Sequence, residues 1–531
     1  MILNLKDISY ILPNRETLFS AVSLSIDKSE KASLIGDNGT GKSTLLRIVA
    51  GEVVAAGGEI SCLSKPYYVP QHSGQYDRLT VAGALGIENK ISALAAITAG
   101  STDEHHYATL DDDWDVEQRA VAALAEWGMG GFGLDCPMSR LSGGEKTRVF
   151  LAGTGLHKPE LILMDEPSNH LDAGAREKLY AFIRESRATL LVVSHDRTLL
   201  NLLDRTYVLS STGVASYGGN YDFYREMRDI ESEAAHSEVH EGEKALRKAR
   251  QTAREAAERK ARRDSRGGAK MKKEGVPRIM LKTITDGAAA SDKRLRDTHA
   301  TKLNTISESL RESRGRLPQE RDLRIKLGDS GLHSGKMLVE SEGIGFAYGS
   351  GPALWNPPLS LRIASGGRIA IRGGNGSGKT TLVKLITGKL EPTAGIMRRA
   401  EFSSLYIDQE YSVIDPEATV AGFAAAHNRR NLPESAVKTE LHRFLFPATT
   451  WDKPCYALSG GEKMRLIFCA LVIGDSAPDM FILDEPTNNL DIASLEIVSS
   501  ALRGYGGTLL VISHDARFLQ DVGISSYIDL G

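Results

Sequence analysis

The stretch GDNGTGKS, residues 36–43, decides the fold, and GGNGSGKT, residues 373–380, repeats it. Both fit the pattern G-x-x-x-x-G-K-[ST], in which the backbone N–H groups of a glycine-rich turn surround phosphate oxygens at the start of a helix. Each stretch follows a strand-like apolar run, at 32–35 and 369–371, and precedes a helix-like one. This order predicts a phosphate-binding loop in each half of the chain.

The residue types within each loop suit ATP and its metal ion. Lys42 and Lys379 are placed to bridge the outer phosphates, and the hydroxyls of Ser43 and Thr380 are placed to hold Mg²⁺. The sequence therefore predicts ATP and Mg²⁺ as cofactors. The predicted nucleotide-binding residues of the two loops are Gly36, Asn38, Gly39, Gly41, Lys42, Ser43, Thr44, Gly373, Asn375, Gly376, Gly378, Lys379, Thr380 and Thr381.

Further motifs follow each loop in the same order. A glutamine ends the strand-like segments YVPQ and YIDQ, and these residues, Gln71 and Gln409, are placed to touch the metal or the attacking water. The segment LSGGEK then begins at Leu141 and again at Leu458, and it leads into a helical stretch. Its serine and two glycines predict a second phosphate cradle at a helix N-terminus. The cradle residues are Ser142, Gly143, Gly144, Ser459, Gly460 and Gly461.

Paired carboxylates end the apolar segments LILMDE and FILDE. They are Asp165 with Glu166 and Asp484 with Glu485. The Asp of each pair suits Mg²⁺, and the Glu suits the orientation of an attacking water. Two surface acids after a buried strand would look similar, but the repetition in both halves favours catalysis.

A histidine follows each of these glutamates by 29 residues, His195 in VVSHD and His514 in VISHD. A lone histidine at the end of an apolar run is more often structural, whereas the identical spacing favours contact with the γ-phosphate. The predicted catalytic residues are Glu166, Glu485, His195, His514, Gln71 and Gln409. The predicted magnesium ligands are Ser43, Gln71, Asp165, Thr380, Gln409 and Asp484.

With these motifs in both halves, the chain resembles the ATP-binding cassette superfamily, whose D-loop is matched by SNHLD at 168–172 and TNNLD at 487–491. The resemblance implies an α/β fold: two P-loop cassette domains, with mixed sheets and helical subdomains, joined by a long α-helical hairpin linker. It also implies head-to-tail packing, in which each ATP lies between one half's loop and the other half's LSGGE segment. Both sites are then expected to hydrolyse ATP.

The resemblance also assigns the adenine contact. Tyr348 is expected to stack on adenine at the second site, as the aromatic residue of the family does. Alignment of the two halves places Leu12 opposite Tyr348, with Tyr10 two residues earlier. The two sites are therefore expected to differ at this contact.

Composition agrees with a folded protein of several domains. The chain has 531 residues, of which 41% are hydrophobic and 25% are charged, and its net charge is −3. Its four cysteines form no C-x-x-C pair and no zinc spacing, which suits buried thiols in a reducing cytoplasm. The N-terminus does not resemble a signal peptide, and no apolar run approaches the ~20 residues of a membrane helix. We therefore expect a cytoplasmic location without membrane insertion.

The segment between the cassettes, residues 223–320, separates predicted domains at 1–222 and 321–531. Its composition predicts two long helices with a break at Arg266–Arg278. An apolar seam is expected between the helices. Its predicted members are Ala245, Ala249, Ala253, Ala256, Leu303, Ile306 and Leu310.

Charge is sorted along this linker. Lys244–Lys282 carries 15 basic and 4 acidic residues, whereas Phe223–Glu243 carries 2 basic and 7 acidic residues. A charge run is often only a solvated helix face, but an excess of one sign at a helical turn favours contact with nucleic-acid phosphates. A shape-following helical tip favours RNA, although DNA stays open. The candidate RNA contacts are Lys270, Lys272, Lys273, Arg278 and Lys282.

Two cassettes and this linker resemble the ABC-F family, whose tyrosine-rich lead into the linker is matched by SYGGNYDFYRE at 216–226. The resemblance implies a monomer that binds the ribosome at the tRNA exit site, with its linker tip near peptidyl-tRNA or the peptidyl-transferase centre, and leaves after ATP hydrolysis. Translation control, rescue of stalled ribosomes and antibiotic resistance stay open. About 21 extra residues around Glu88–Asp113 predict a short arm at most. An ATPase subunit of a transporter is the alternative.

Overall fold

The computed structural model describes residues 1–71, 74–273, 297–298, 300–314, 325, 327–328, 330–349, 351–374, 376–488 and 490–530. The contacts of the chain divide it into two units. One unit combines Met1–Asp222 with Asp322–Gly531, and the other is Phe223–Arg321. The first unit therefore contains both phosphate-binding loops, and the second contains the linker.

The first half of the chain forms two sheets. Its strands are β1 (Leu3–Ile11), β2 (Thr17–Ile26), β3 (Lys31–Ile35), β4 (Gly57–Cys62), β5 (Tyr67–Val69), β6 (Leu161–Asp165), β7 (Thr189–Val193), β8 (Arg205–Ser210) and β9 (Gly213–Tyr217). The larger sheet has the order β5-β6-β7-β3-β8-β9, and it is parallel except for the antiparallel pair β8 and β9. The smaller sheet, β2-β1-β4, is antiparallel.

The helices described in this half are α1 (Lys42–Val49), α2 (Val81–Ala84), α3 (Glu88–Thr98), α4 (Glu104–Leu110), α5 (Val116–Glu126), α6 (Gly143–His157), α7 (Ala173–Glu185) and α8 (Arg197–Leu200). A 3-10 helix, Met138–Arg140, precedes α6. Helices α3 and α4 form most of the expected extra segment. Asp113 joins it to the fold through ion pairs with Lys90, at 2.9 Å, and with Arg119.

Among its described residues, the linker unit contains most of α9 (Tyr221–Lys273), which begins in the first unit, and α10 (residues 300–314). The prediction of a break beginning at Arg266 is wrong, because α9 continues through Gly267 and Gly268 to Lys273. Each glycine costs only about 1 kcal/mol in a helix, and the surrounding Ala, Lys and Arg residues are strong helix formers. The remainder of the predicted break, residues 274–278, lies outside the described residues.

The inner face of the linker hairpin differs from the prediction at one position. Ala249, Ala253 and Ala256 are half-buried as expected, but Ala245 is exposed and Leu246 takes its place. Across the hairpin Leu303 and Ile306 are half-buried and Leu310 is buried. From Val239 to Ala256 the half-buried positions of α9 step alternately by three and four residues, as in a coiled coil: Val239, Gly242, Leu246, Ala249, Ala253 and Ala256. Ala235, four residues before Val239, is half-buried too.

Two contacts hold the helices of the hairpin together. The Leu310 side chain lies over Gly242, where an added Cβ would come within 3.0 Å of it. The Arg314 guanidinium pairs with Glu243 at 2.5 Å. The described part of α10 therefore packs along the middle of α9.

The second half repeats the architecture of the first. Its strands are β10 (Met337–Gly345), β11 (Leu359–Ala364), β12 (Arg368–Arg372), β13 (Ala394–Arg399), β14 (Ser404–Ile407), β15 (Met480–Asp484), β16 (Thr508–Ile512) and β17 (Ser526–Asp529). A parallel sheet has the order β14-β15-β16-β12-β17, and an antiparallel sheet has the order β11-β10-β13.

The helices of the second half are α11 (Lys379–Ile386), α12 (Val420–Ala426), α13 (Glu434–Arg443), α14 (Gly460–Gly474), α15 (Ile492–Arg503) and α16 (Ala516–Asp521), with 3-10 helices at Ala448–Thr450 and Cys455–Ala457. The predicted α/β class with two cassettes and a helical linker is thus confirmed.

The central strands explain where the chemistry lies. Every residue of β6, β7, β15 and β16 is buried, as expected for parallel strands covered on both faces. The last residues of β6 and β15 are Asp165 and Asp484. The sheets therefore deliver these carboxylates to the carboxyl edge, the edge at which open α/β sheets bind ligands.

Candidate functional site

Glycine is required in both phosphate-binding loops at the position before the lysine. Gly41 has φ 93° and Gly378 has φ 88°. A Cβ on Gly41 would come within 2.8 Å of the Phe19 ring, and a Cβ on Gly378 within 3.0 Å of Trp355. The loops therefore turn tightly into α1 and α11, whose first N–H groups stay available to phosphate. Asn375 of the second loop lies outside the described residues.

In each loop, the lysine ammonium lies in the region where phosphate is expected to bind. The Lys42 ammonium donates to the carbonyl oxygens of Gly36, at 2.8 Å, and Asp37, at 3.0 Å. Lys379 makes the same contacts with Gly373, at 2.7 Å, and Gly374, at 3.0 Å. Burial lowers the pKa of Lys42. Both ammonium groups are thus held at the rim of their own loop.

The first carboxylate site fits a magnesium ion. The Asp165 carboxylate accepts hydrogen bonds from the Ser43 hydroxyl and, at 3.2 Å, from the Tyr68 hydroxyl. Its Oδ1 is buried and has no hydrogen-bond partner among the described residues. A hydroxyl beside an unsatisfied carboxylate oxygen is a hard oxygen donor set of the kind that Mg²⁺ binds together with phosphate. Burial raises the pKa of Asp165 to about 6.

The second site repeats this arrangement. Asp484 accepts hydrogen bonds from Thr380 and, at 2.8 Å, from Tyr406. Sequence reasoning gave no role to Tyr68 or Tyr406. The available signal was that a tyrosine stands three residues before the glutamine in both halves. The described residues include no cluster of three or more His, Cys, Asp or Glu side chains that would form a separate metal centre.

Each predicted catalytic glutamate faces the predicted histidine. Glu166 lies 3.3 Å from His195 Nε2, and Glu485 lies 3.4 Å from His514 Nε2. Glu166 and Glu485 adopt left-handed backbone angles, with φ 49° and 47°, which are uncommon for residues other than glycine. Strained backbone of this kind is concentrated at functional sites.

Burial changes the protonation of these groups. It raises the pKa of Glu166 and of Glu485 to about 7, and it lowers the pKa of His195 and of His514 to about 4. At neutral pH each histidine is therefore uncharged, and each glutamate is poised between its two protonation states. Such poising suits groups that handle water and protons.

The LSGGEK segments open α6 and α14 with a capping box. The Ser142 N–H donates to Glu145 at 2.8 Å, and the Ser142 hydroxyl accepts from the Glu145 N–H at 3.4 Å. Ser459 and Glu462 repeat these contacts at 2.8 and 3.3 Å. The cap fixes the serine at the helix N-terminus, where the helix dipole favours an anion.

The structure brings most of the first predicted site together around one cavity of about 640 Å³. The first half contributes Leu12, Leu18, Asn38, Gly39, Gly41, Lys42, Ser43, Thr44, Gln71, Asp165, Glu166, Asn169, Val193 and His195. The second half contributes Gln409, Glu410, Tyr411, Gly460, Lys463 and Asn488. The Asn38 N–H also donates to Asp491 of the opposite D-loop at 3.4 Å. The cavity is therefore shared by the two halves.

Several predicted residues lie elsewhere. Gln409 lines this first cavity, although the resemblance assigned it to the second site. Ser459 and Gly461 are not among the lining residues, and Gly461 packs against the Ser494 side chain. Leu12, which aligns with Tyr348 of the second half, also lines this cavity.

The second site has its own loop and carboxylate cluster. The Tyr348 hydroxyl hydrogen-bonds Thr381 at 2.9 Å, and Tyr348, the residue expected to stack on adenine, is 57% exposed. In the first half, which the resemblance places opposite this site, Gly143 lies against the ring of His170 in the D-loop of the same half. Ser142 and Gly144 lie beside Gly143 at the start of α6.

Comparison with known proteins places these features in a family. Residues 19–169 and 357–488 match the ABC transporter family model. The chain is 32% identical to the tylosin resistance ATP-binding protein TlrC of Streptomyces fradiae, over 94% of this chain and 92% of TlrC. It is 29% identical to ABC transporter F family member 5 of Arabidopsis thaliana, over 95% of this chain and 72% of that protein.

The chain belongs to the ATP-binding cassette family and is of the ABC-F type. Its cassettes bind ATP, and this ABC-F protein is an ATPase. A solved structure of the archaeal ribosome recycling factor aABCE1, in complex with the archaeal ribosomal stalk protein aP1, has the same fold, with a TM-score of 0.58. It is 21% identical and covers 97% of this chain and 86% of that chain. No helix among the described residues of the ABC-F protein is long and apolar enough to cross a membrane.

Proposed function

We propose that this protein hydrolyses ATP with Mg²⁺ at two composite sites and uses the cycle to bind and leave the ribosome. The proposed position is the tRNA exit site, with the linker tip near peptidyl-tRNA or the peptidyl-transferase centre. A cavity walled by both cassettes, together with a long helical hairpin between them, is the observation that carries the proposal. The proposed working form is a cytoplasmic monomer with an intramolecular cassette pair.

Two names among the similar proteins support a role in antibiotic resistance or in ribosome function. TlrC is named for tylosin resistance, and aABCE1 is named a ribosome recycling factor. The proposed role is accordingly that of a translation factor or of a ribosome-protection resistance factor. These two roles share the same ATP cycle, so the cassette chemistry is argued in the same way for both.

In the proposed reaction Glu166 and Glu485 orient the attacking water, and His195 and His514 contact the terminal phosphate. The pairing of each glutamate with its histidine, at 3.3 and 3.4 Å, holds both side chains at one point of the site. When bound, Mg²⁺ supplies charge neutralisation for the phosphates, and Ser43 with Asp165, or Thr380 with Asp484, would hold it. Gln71 and Gln409 complete the proposed metal and water contacts.

The basic half of the linker is proposed to contact RNA. The backbone of Lys270, Lys272 and Lys273 lies in α9, whereas Arg278 and Lys282 lie outside the described residues. The excess of 15 basic over 4 acidic residues in Lys244–Lys282 supports phosphate contact. The acidic first part of α9 would instead be repelled by phosphate, which supports entry of the basic part alone.

Co-sedimentation with purified ribosomes tests the proposal. The double variant Glu166→Gln, Glu485→Gln keeps the metal and phosphate contacts but loses the water-orienting carboxylates, so ATP should trap it on the ribosome. We expect pelleting with ATP and not with ADP. Equal absence from the pellet in both nucleotides, with ATP still bound, would contradict the ribosome proposal and favour a transporter ATPase with separate membrane partners.

A second variant tests the RNA contacts. Changing Lys270, Lys272, Lys273, Arg278 and Lys282 to Ala should weaken pelleting and flatten its salt dependence while leaving the intrinsic ATPase rate unchanged. The matched control changes Arg225 and Arg228, in the acidic part of α9, to Ala. Equal effects of the two variants on pelleting would contradict a contact at the tip.

A further inference from the structure

The two copies of LSGGEK are identical in sequence, but their lysines differ in surroundings. Lys146 of the first copy is buried, and its ammonium pairs with Asp77 at 2.5 Å. Lys463 of the second copy is half-buried and lines the first ATP cavity. Its ammonium lies over the ring of Tyr411, 5.9 Å from the ring centroid. The same sequence position is therefore neutralised in one half and faces a ligand cavity in the other.

Within the described part of the chain, Lys463 has no carboxylate within ion-pair distance. Its neighbours on the signature segment do not neutralise it, because Glu462 caps the helix through Ser459 and lies 3.8 Å from Lys453. A half-buried ammonium without an anionic partner is costly unless a ligand supplies the anion. The cavity that it lines is the one that Lys42 enters from the other half.

The adenine side of the same cavity lacks the contact available at the second site. Leu12 and Leu18 line the first cavity, where no aromatic residue of the first half is among the lining residues. At the second site the exposed Tyr348 ring lies beside Thr381 of the same half. A base can therefore stack within one cassette at the second site, whereas the first site depends more on groups from the opposite cassette.

We propose that Lys463 is a nucleotide-binding residue of the first ATP site, supplied by the opposite cassette to contact the phosphates, and that the second site has no equivalent. The proposal rests on ATP binding at this cavity. Lysine suits the role because its ammonium is a compact charge with three donors, as used by phosphate-binding loops. ATP at the first site is then held firmly only when the cassettes meet. At the second site, the adenine base can stack on Tyr348 without a contact from the opposite cassette.

Single-site variants test the proposal. All the proteins carry Glu166→Gln and Glu485→Gln, which prevent turnover. Adding Lys379→Ala disables the second site and gives the first-site protein. Adding Lys42→Ala disables the first site and gives the second-site protein. In the first-site protein, Lys463→Met should raise the Kd for ATP with Mg²⁺ about tenfold in equilibrium titration. This change corresponds to about 1.4 kcal/mol, close to the lower end for a charge-assisted hydrogen bond. Lys463→Arg should restore the Kd to within about threefold of the parent.

The matched control is Lys146→Met in the second-site protein, where the Kd should change less than about twofold because Lys146 is already paired with Asp77. An unchanged Kd in the Lys463→Met protein would overturn the proposal. An equal rise in Kd from Lys463→Met and Lys146→Met would also overturn it, because it would indicate a structural role of this helix position. Failure of the first-site parent to bind ATP would instead contradict the proposed function. Thermal unfolding of each variant identifies any that fails to fold.

Discussion

At the residue scale, the main feature of the site is that burial raises the pKa values of its carboxyl groups. Glu166 is 7% exposed and has Lys42, His195 and Asp196 as its electrostatic neighbours. Burial dominates these effects and raises its pKa to about 7. The protein thus holds at its active centre a group that favours protonation until a ligand changes its surroundings.

This raised pKa predicts a pH-dependent difference between wild type and Glu166→Gln. Because the folded protein binds the proton more tightly than the unfolded chain, the contribution of Glu166 to stability is complete below pH 4.5 and is lost as the pH rises through about 7. Glutamine has no such loss. Without nucleotide, the variant should therefore gain stability relative to wild type between pH 5 and pH 8, by on the order of 3 kcal/mol.

Urea unfolding at several pH values measures this difference. Glu485→Gln should follow the same trend, since burial also raises the pKa of Glu485 to about 7. A difference from wild type that stays constant with pH would show that the carboxyl group is not protonated in the folded, nucleotide-free protein.

Motif spacing predicted that each glutamate and its histidine serve the same site, but it did not predict that they would face each other. They do so because both follow adjacent parallel strands, β6 beside β7 and β15 beside β16. Motif spacing was also not enough to predict the hydrogen bonds of Tyr68 and Tyr406 to the neighbouring aspartates. Those bonds join β5 to β6 and β14 to β15, and single-residue patterns do not specify which side chain of a neighbouring strand reaches across.

At the element scale, the linker hairpin depends on a narrow seam. The spacing of alanines predicted the inner face of α9 correctly at Ala249, Ala253 and Ala256. It was one residue early at Ala245, which is exposed. Leu246 lies on the inner face because it follows Val239 by seven residues, which is two helical turns on the same face. Alanine repeats alone do not distinguish these neighbouring positions, since Ala is suited to every face of a helix.

Leu310 is the most buried side chain of this seam among the described residues of α10, with 6% of its surface exposed. Leu310→Ala should therefore destabilise the hairpin by roughly 2–4 kcal/mol through lost burial and an unfilled cavity. Hydrogen exchange of residues 300–314 should accelerate, because Leu310 is the one buried residue in this described stretch.

Glu308→Ala, on the exposed face of α10, is the matched control and should leave exchange nearly unchanged. If both variants exchange like wild type, the seam does not hold α10 in place.

At the scale of the whole molecule, one arginine of the first cassette pairs with two carboxylates of the second. Arg197, at the start of α8, pairs with Asp521 at 3.1 Å and Glu496 at 3.4 Å in the second cassette. Ala516 stands at the corresponding position after His514. Sequence comparison with a family implies that cassettes pack head to tail, but it does not identify this one-sided contact, which depends on both surfaces at once.

Arg197→Ala should weaken the association of the cassettes by roughly 1–3 kcal/mol, because the arginine is buried and its removal abolishes both ion pairs with the second cassette. In the Glu166→Gln, Glu485→Gln background, the variant should release trapped ATP faster in a nucleotide chase. The control is Arg517→Ala, whose exposed pair with Asp222 at 3.2 Å should contribute little. Equal release from both proteins would contradict a joining role for Arg197.

Both cassettes lie in one contact unit of a single polypeptide, and this has a kinetic consequence. Their closure is a first-order step, set by the effective concentration of one half at the other and not by how many copies a cell contains. Dilution therefore cannot separate the halves, and the response of this ATPase to its nucleotide supply should be the same at low abundance as at high abundance.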